Sequence, residues 1–174
     1  VGVSCRLAAC LALLTASSGC NLVRGPPKDH ECRAVLRTIF GLQVAYYSRA
    51  QAYSVHPVVI GWAPAPGNRY LYLFDKAGDV TRRDGLPSPP LEDSVGYGPD
   101  TKKRDITVEE LLPKLPTEVR ATLGVEGACP ACDVTIACVG NLDADEDVDV
   151  WTISTKDRPG AARGTPLHHL KDLP

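Results

Sequence analysis

Residues 31–54, ECRAVLRTIFGLQVAYYSRAQAYS, constrain the fold more than any other stretch. Apolar or part-apolar side chains recur at Cys32, Val35, Leu36, Ile39, Leu42 and Tyr46. That period, close to 3.6, draws one buried stripe on an amphipathic helix. At ~1.5 Å per residue the helix would run roughly 36 Å, about the diameter of a small domain. Gly41 in its middle costs about 1 kcal/mol against alanine, so packing has to hold the helix together. No other segment reads as that long. The rest are short strands and loops available to wrap its apolar side.

With 174 residues, 44% of them hydrophobic, the chain suits one ordinary domain with its own core. A formal net charge of -2 leaves no strongly basic surface to neutralise phosphates, which argues against nucleic acid as the main partner. No glycine-rich phosphate loop follows a strand, and no GxSxG elbow is present. His30 and His56 are isolated, and His168-His169 falls near the end. An enzyme is therefore not expected, nor a small-molecule substrate.

Residues 1–20 read VGVSCRLAACLALLTASSGC. Arg6 supplies a short positive region, residues 7–15 a brief apolar one, and residues 16–19 a run of small side chains. That is the pattern of a secretory signal too short to span a bilayer. Ser18-Gly19-Cys20 resembles a bacterial lipobox, which implies cleavage after residue 19 and diacylglycerol on the Cys20 sulfur. Cys10 is a rival lipobox position with almost no apolar region ahead of it. Acyl chains gain about 0.8 kcal/mol per buried CH₂, so several chains on one cysteine anchor a protein stably. The expected organisation is a lipoprotein signal over 1–19, a lipidated tether over 20–30, a globular domain over 31–155 and a flexible tail over 156–174.

His56-Pro57 ends the long helix. Residues 69–74, RYLYLF, read as a strand, with 79–83 pairing back on it after a turn. Residues 94–97 form a weak strand. Thr107-Val108-Glu109-Glu110 has capping-box spacing and opens a short helix disturbed by Pro113. A second helical turn or two over 117–123 closes at Gly124, as a residue just past the helix end. Residues 134–139 and 148–153 read as a hairpin around the acidic loop GNLDADED.

The order of these pieces resembles the globular part of bacterial type IV pilins and pseudopilins. The likeness rests on a long helix with Tyr46-Tyr47, then Ile60-Gly61-Trp62-Ala63-Pro64, Gly67-Asn68-Arg69-Tyr70-Leu71-Tyr72, Gly140-Asn141-Leu142-Asp143 and Asp149-Val150-Trp151-Thr152-Ile153. It implies an α+β fold, a long N-terminal helix packed on a small antiparallel sheet, and a role in pilus or secretion assemblies. Family members open on a processed GFTLIE-like segment and a hydrophobic half-helix that packs the filament core. Cys20 and the tether stand in that place here, so the resemblance is expected to carry the fold more than polymerisation.

Seven cysteines are present. With Cys5 and Cys10 in the signal and Cys20 lipidated, Cys32, Cys129, Cys132 and Cys138 remain, an even set in an exported chain. Four cysteines allow three pairings. Cys32 lies on the helix stripe, and Cys138 shares strand parity with Val134 and Ile136, so these two are expected to pair across the core. In the entropy model that long loop is worth up to ~4.7 kcal/mol. Cys129 then pairs with Cys132. The competing reading of Cys129-Pro130-Ala131-Cys132 is a thiol–disulfide oxidoreductase, but such a dithiol needs a helix N-terminus, whereas this one leads into a strand. A zinc site would need a second CxxC.

Asp143, Asp145, Asp147 and Asp149 alternate through the acidic loop. Clustered carboxylates attract calcium, which takes six to eight oxygens, so calcium is the one candidate cofactor and a calcium-stabilised adhesive module an alternative function. The EF-hand pattern fails, because Val148 and Ser154 stand where its glycine and final glutamate belong. The plain alternative is a solvated loop. Taken together, the sequence predicts an exported, lipid-anchored protein with a structural or interaction role, contacting a membrane through its lipid and envelope proteins through its domain.

Overall fold

The structure is a computed structural model that describes residues 30–100, 106–143 and 145–171. Helix α1 (His30–Ala50) is the long helix. Its buried residues are Cys32, Leu36, Ile39 and Gln43; Val35, Leu42 and Tyr46 pack partly buried against the same core, and the polar Gln43 joins the stripe. Gln43 is satisfied because its amide donates to the Ser54 carbonyl at 2.6 Å and accepts from the Ser54 amide at 3.1 Å. That clamp folds the chain back sharply. The helix accordingly stops at Ala50, four residues short of the expected end, with Gln51 in the left-handed region at φ 53°.

Six strands form one sheet: β1 (Leu71–Leu73), β2 (Gly96–Tyr97), β3 (Gly124–Glu126), β4 (Asp133–Gly140), β5 (Asp149–Ser154) and β6 (Leu167–Leu170). The order is β2-β1-β4-β5-β6, with β3 beside the start of β4, and every named pair is antiparallel. The β4–β5 hairpin is its spine, in register from Thr135 opposite Ser154 to Gly140 opposite Asp149. β1 pairs β2 and not 79–83, of which only Thr81 forms a bridge, to Tyr97. The β1 edge facing β2 is taken once Phe74 donates to the Val95 carbonyl at 2.8 Å.

The pleat sends successive side chains to opposite faces, and both faces are covered. Toward α1 lie Tyr70, Tyr72, Phe74, Val134, Ile136, Cys138, Trp151 and Ile153. Trp62 joins them edge-on to Tyr72 at 5.2 Å and to Tyr97 at 5.7 Å. The other face carries Leu71, Leu73, Ala137, Val139 and Val150 beneath α2 (Val108–Leu111) and α3 (Thr117–Ala121). Two covered faces explain why Tyr70, Leu71, Tyr72, Leu73 and Phe74 are all fully buried, where a half-exposed strand would alternate. Thr107 and Glu110 close the capping box on α2, and Pro113 sits in a 3-10 turn that follows it. Gly124, at φ 99°, opens β3 and is not the residue next to the α3 cap.

The expectation of a flexible tail over 156–174 is corrected. β6 lies in that span and pairs with β5, with Trp151 opposite His168 and Thr152 opposite Leu167. β6 therefore belongs to the domain. Among the described residues, no helix is long and apolar enough to cross a membrane.

Candidate functional site

Asp149 opens β5 and its side chain falls on the α1 side of the sheet, 1% exposed. Its Oδ2 accepts from the Tyr70 hydroxyl and from Trp151 Nε1–H, each at 2.8 Å, and its Oδ1 lies 2.8 Å from His168 Nε2. A buried carboxylate is tolerable only when its oxygens are met in this way. Burial first, and the Asp149 charge second, push the Tyr70 hydroxyl well above the usual tyrosine range, so it stays a donor. The rings of Trp151 and His168 stack at 3.9 Å and 6°, and the Arg33 guanidinium of α1 lies 5.3 Å from the Trp151 ring. One carboxylate thus ties Tyr70, at the entry to β1, to β5 and β6, while Arg33 brings α1 against the Trp151 ring.

The residues of the Gly-Asn-Arg-Tyr segment each hold a junction. The Gly67 amide, at φ 79°, donates to Asp100 Oδ2 at 2.7 Å. Asn68 donates to the carbonyls of Tyr70 and Gly98 at 2.8 and 3.1 Å. Arg69 meets Glu31 at the start of α1 through its amide at 2.9 Å and Nε at 2.8 Å. Tyr70 reaches Asp149. Gly140 permits this closeness, since a Cβ there would stand 2.7 Å from the Tyr70 ring. The two segments that carry the family resemblance, distant in sequence, meet at Asp149. Glu31 and His168, which complete the arrangement, carry no role in the sequence reading because their partners Arg69 and Asp149 are distant in the chain.

Among the described residues two disulfides are formed. Cys32 on α1 joins Cys138 on β4 with Cα atoms 6.2 Å apart, inside the α1-facing core. Cys129 joins Cys132 with Cα atoms 4.5 Å apart, in the turn between β3 and β4. Cys129 is exposed, Cys132 is buried, and the Pro130 carbonyl accepts from the Tyr47 hydroxyl of α1. The residues after this CxxC enter β4, so the helix N-terminus that activates a thioredoxin-type thiol does not stand there.

The four aspartates of the acidic loop do not converge. Asp149 is withdrawn into the interior, because β5 pairing turns it toward Tyr70 and Trp151. Asp143 Oδ1 accepts from the Asp145 amide at 3.2 Å, and Asp145 Oδ1 from the Asp147 amide at 2.8 Å, as in successive Asx turns. Among the described residues no three His, Cys, Asp or Glu side chains are grouped to hold a metal ion. Cys20 lies outside the described residues.

A helix laid on an antiparallel sheet, stapled through Cys32 and Cys138 and knotted at Asp149, is an α+β arrangement of pilin-like kind. The chain is 29% identical over 170 residues to the type IV major pilin protein PilA of Myxococcus xanthus (strain DK1622), covering 84% of this chain and 77% of that protein. This likeness supports a pilin-like domain. No protein-family model matches the sequence.

Proposed function

We propose that this chain is an envelope protein with a structural role related to type IV pili, held at a membrane surface by lipid on Cys20. The observation that carries the pilus-related role is the likeness to a major pilin over most of both chains, joined to a helix-on-sheet domain. The Asp149 knot supports the structural character of that role: its carboxylate is spent on Tyr70, Trp151 and His168 and joins distant strands. Ser18-Gly19-Cys20 supports the lipid anchor. The domain would contact pilus or secretion components while the lipid keeps it at the membrane.

Two experiments test this. Deleting the gene in the organism that makes the protein, with complementation, is expected to lower or alter surface piliation; unchanged pili would refute the pilus-related role. Intact mass of the membrane-extracted protein is expected to show loss of residues 1–19 and added lipid. An unmodified Cys20 would refute the anchor alone.

A further inference from the structure

Between α3, β6 and the loop after β5 lies a cleft of about 240 Å³, lined in part by Glu118, Val119, Lys156, Arg158, Leu167 and His169. Arg158 is half-buried there. Its Nη1 donates to Thr152 Oγ1 at 2.5 Å, and its buried Nε has no hydrogen-bond partner. Among the described residues, no carboxylate forms an ion pair with it. Lys156 is paired with Glu126, and Glu118 pairs with neither cation. Thr152 Oγ1 also meets His169 Nε2 at 2.8 Å. Burial first and the Arg158 charge second lower the proton affinity of His169, and the Glu118 carboxylate opposes them. The cleft therefore offers a guanidinium without an ion-paired carboxylate, with Glu118 unpaired on the same lining and Val119 and Leu167 as apolar walls, which suits a carboxylate on a short aliphatic stem.

The tip of the β4–β5 hairpin presents that chemistry. Asp145, Glu146 and Asp147 are exposed and form no ion pair; Lys114, the nearby cation, donates to the Glu146 carbonyl. The tip and the cleft lie at opposite ends of β5. From Asp147 to Thr152 is five residues, roughly 17 Å at ~3.4 Å each, so a copy cannot fill its own cleft.

We infer that the Arg158 cleft receives the acidic hairpin tip, Asp145–Glu146–Asp147, of a second copy of this chain, a head-to-tail contact between globular domains. Such an interface is heterologous, so it propagates along a row of copies where a two-fold dimer would close. The inference deepens the pilus-related reading by assigning a subunit contact, and it is tested on the isolated chain, apart from piliation.

The full chain is followed by sedimentation equilibrium over a range of concentrations, beside Arg158→Glu and the triple variant D145K/E146K/D147K. Wild type is expected to self-associate, less so with added salt, and still less in sodium acetate than in sodium chloride of equal ionic strength. Each variant alone is expected to associate about tenfold or more weakly, as for loss of a desolvated charge pair. An equal mixture of the two restores association, since each cleft again faces a tip of opposite charge. If Arg158→Glu fails to fold, Arg158→Gln serves, with the same loss expected. A wild type that stays monomeric, association that survives loss of Arg158, or a mixture that is not restored would overturn the contact; acetate binding without self-association would do so too. None of these would touch the piliation result.

Discussion

Replacing Asp149 by alanine removes the acceptor for two buried donors at once. Tyr70 is fully buried and Trp151 is 8% exposed, and both donate to Asp149 Oδ2 at 2.8 Å. Leaving a buried donor unsatisfied costs about 1–3 kcal/mol, so two orphans cost about 4 kcal/mol. The contact to His168 is lost as well, which loosens β6. Against a total stability of about 5–15 kcal/mol that is a large share. For a domain of this size it corresponds to a fall in Tm of roughly 8–16 °C. The assay is urea unfolding of Asp149→Ala with both disulfides intact, followed by far-UV circular dichroism and Trp fluorescence, the latter reporting the stacking of Trp151 on His168. Tyr70→Phe alone is expected to cost about 1–2 kcal/mol. In the Asp149→Ala background, however, it should cost far less or even recover stability, because its donor has no acceptor left to lose. A loss below about 1 kcal/mol for Asp149→Ala, or additive costs in the double variant, would refute the reasoning.

Removing the Cys32–Cys138 bridge, which spans 106 residues, is expected to cost up to ~4.7 kcal/mol in the entropy model, while removing Cys129–Cys132 costs only about 2 kcal/mol; denaturant midpoints of the paired serine variants check the order. Ending the chain before β6 is expected to bare the β5 edge, lowering stability and raising aggregation, read by light scattering; an unchanged melting curve would contradict the corrected tail. Burial, then the Arg158 charge, depress the His169 imidazole in the folded state, so its contribution to stability is complete above the unfolded value of about 6.5 and is lost as pH falls. His169→Gln is therefore expected to flatten part of the decline in Tm between about pH 7 and pH 5, and an identical profile would contradict it.

The parts of the fold written in local pattern could be read directly. The Val-Ile run of β4 and the alternation of β5 announce a hairpin, and the stripe from Cys32 to Ile39 announces α1. What could not be read depends on distant partners. Gln43 is buried only because Ser54 returns to meet both ends of its amide. β6 is polar and flanked by breakers, so nothing local marks it; pairing with β5 and the stacking of His168 on Trp151 create it. Asp149 is indistinguishable in sequence from Asp143, Asp145 and Asp147, yet the β5 pleat sends it inward while Asp145 and Asp147 remain in solvent. The same limit hid the Arg158 cleft, whose walls come from α3, the loop after β5 and β6.

The central claim is that this domain works among pilus components. Its most direct test is chemical cross-linking of intact cells, followed by isolation of this chain and mass spectrometry of whatever is joined to it. Cross-links from the domain surface to pilins or pilus-assembly proteins are the expected result. A chain recovered without such adducts, from cells whose pili cross-link normally, would contradict it.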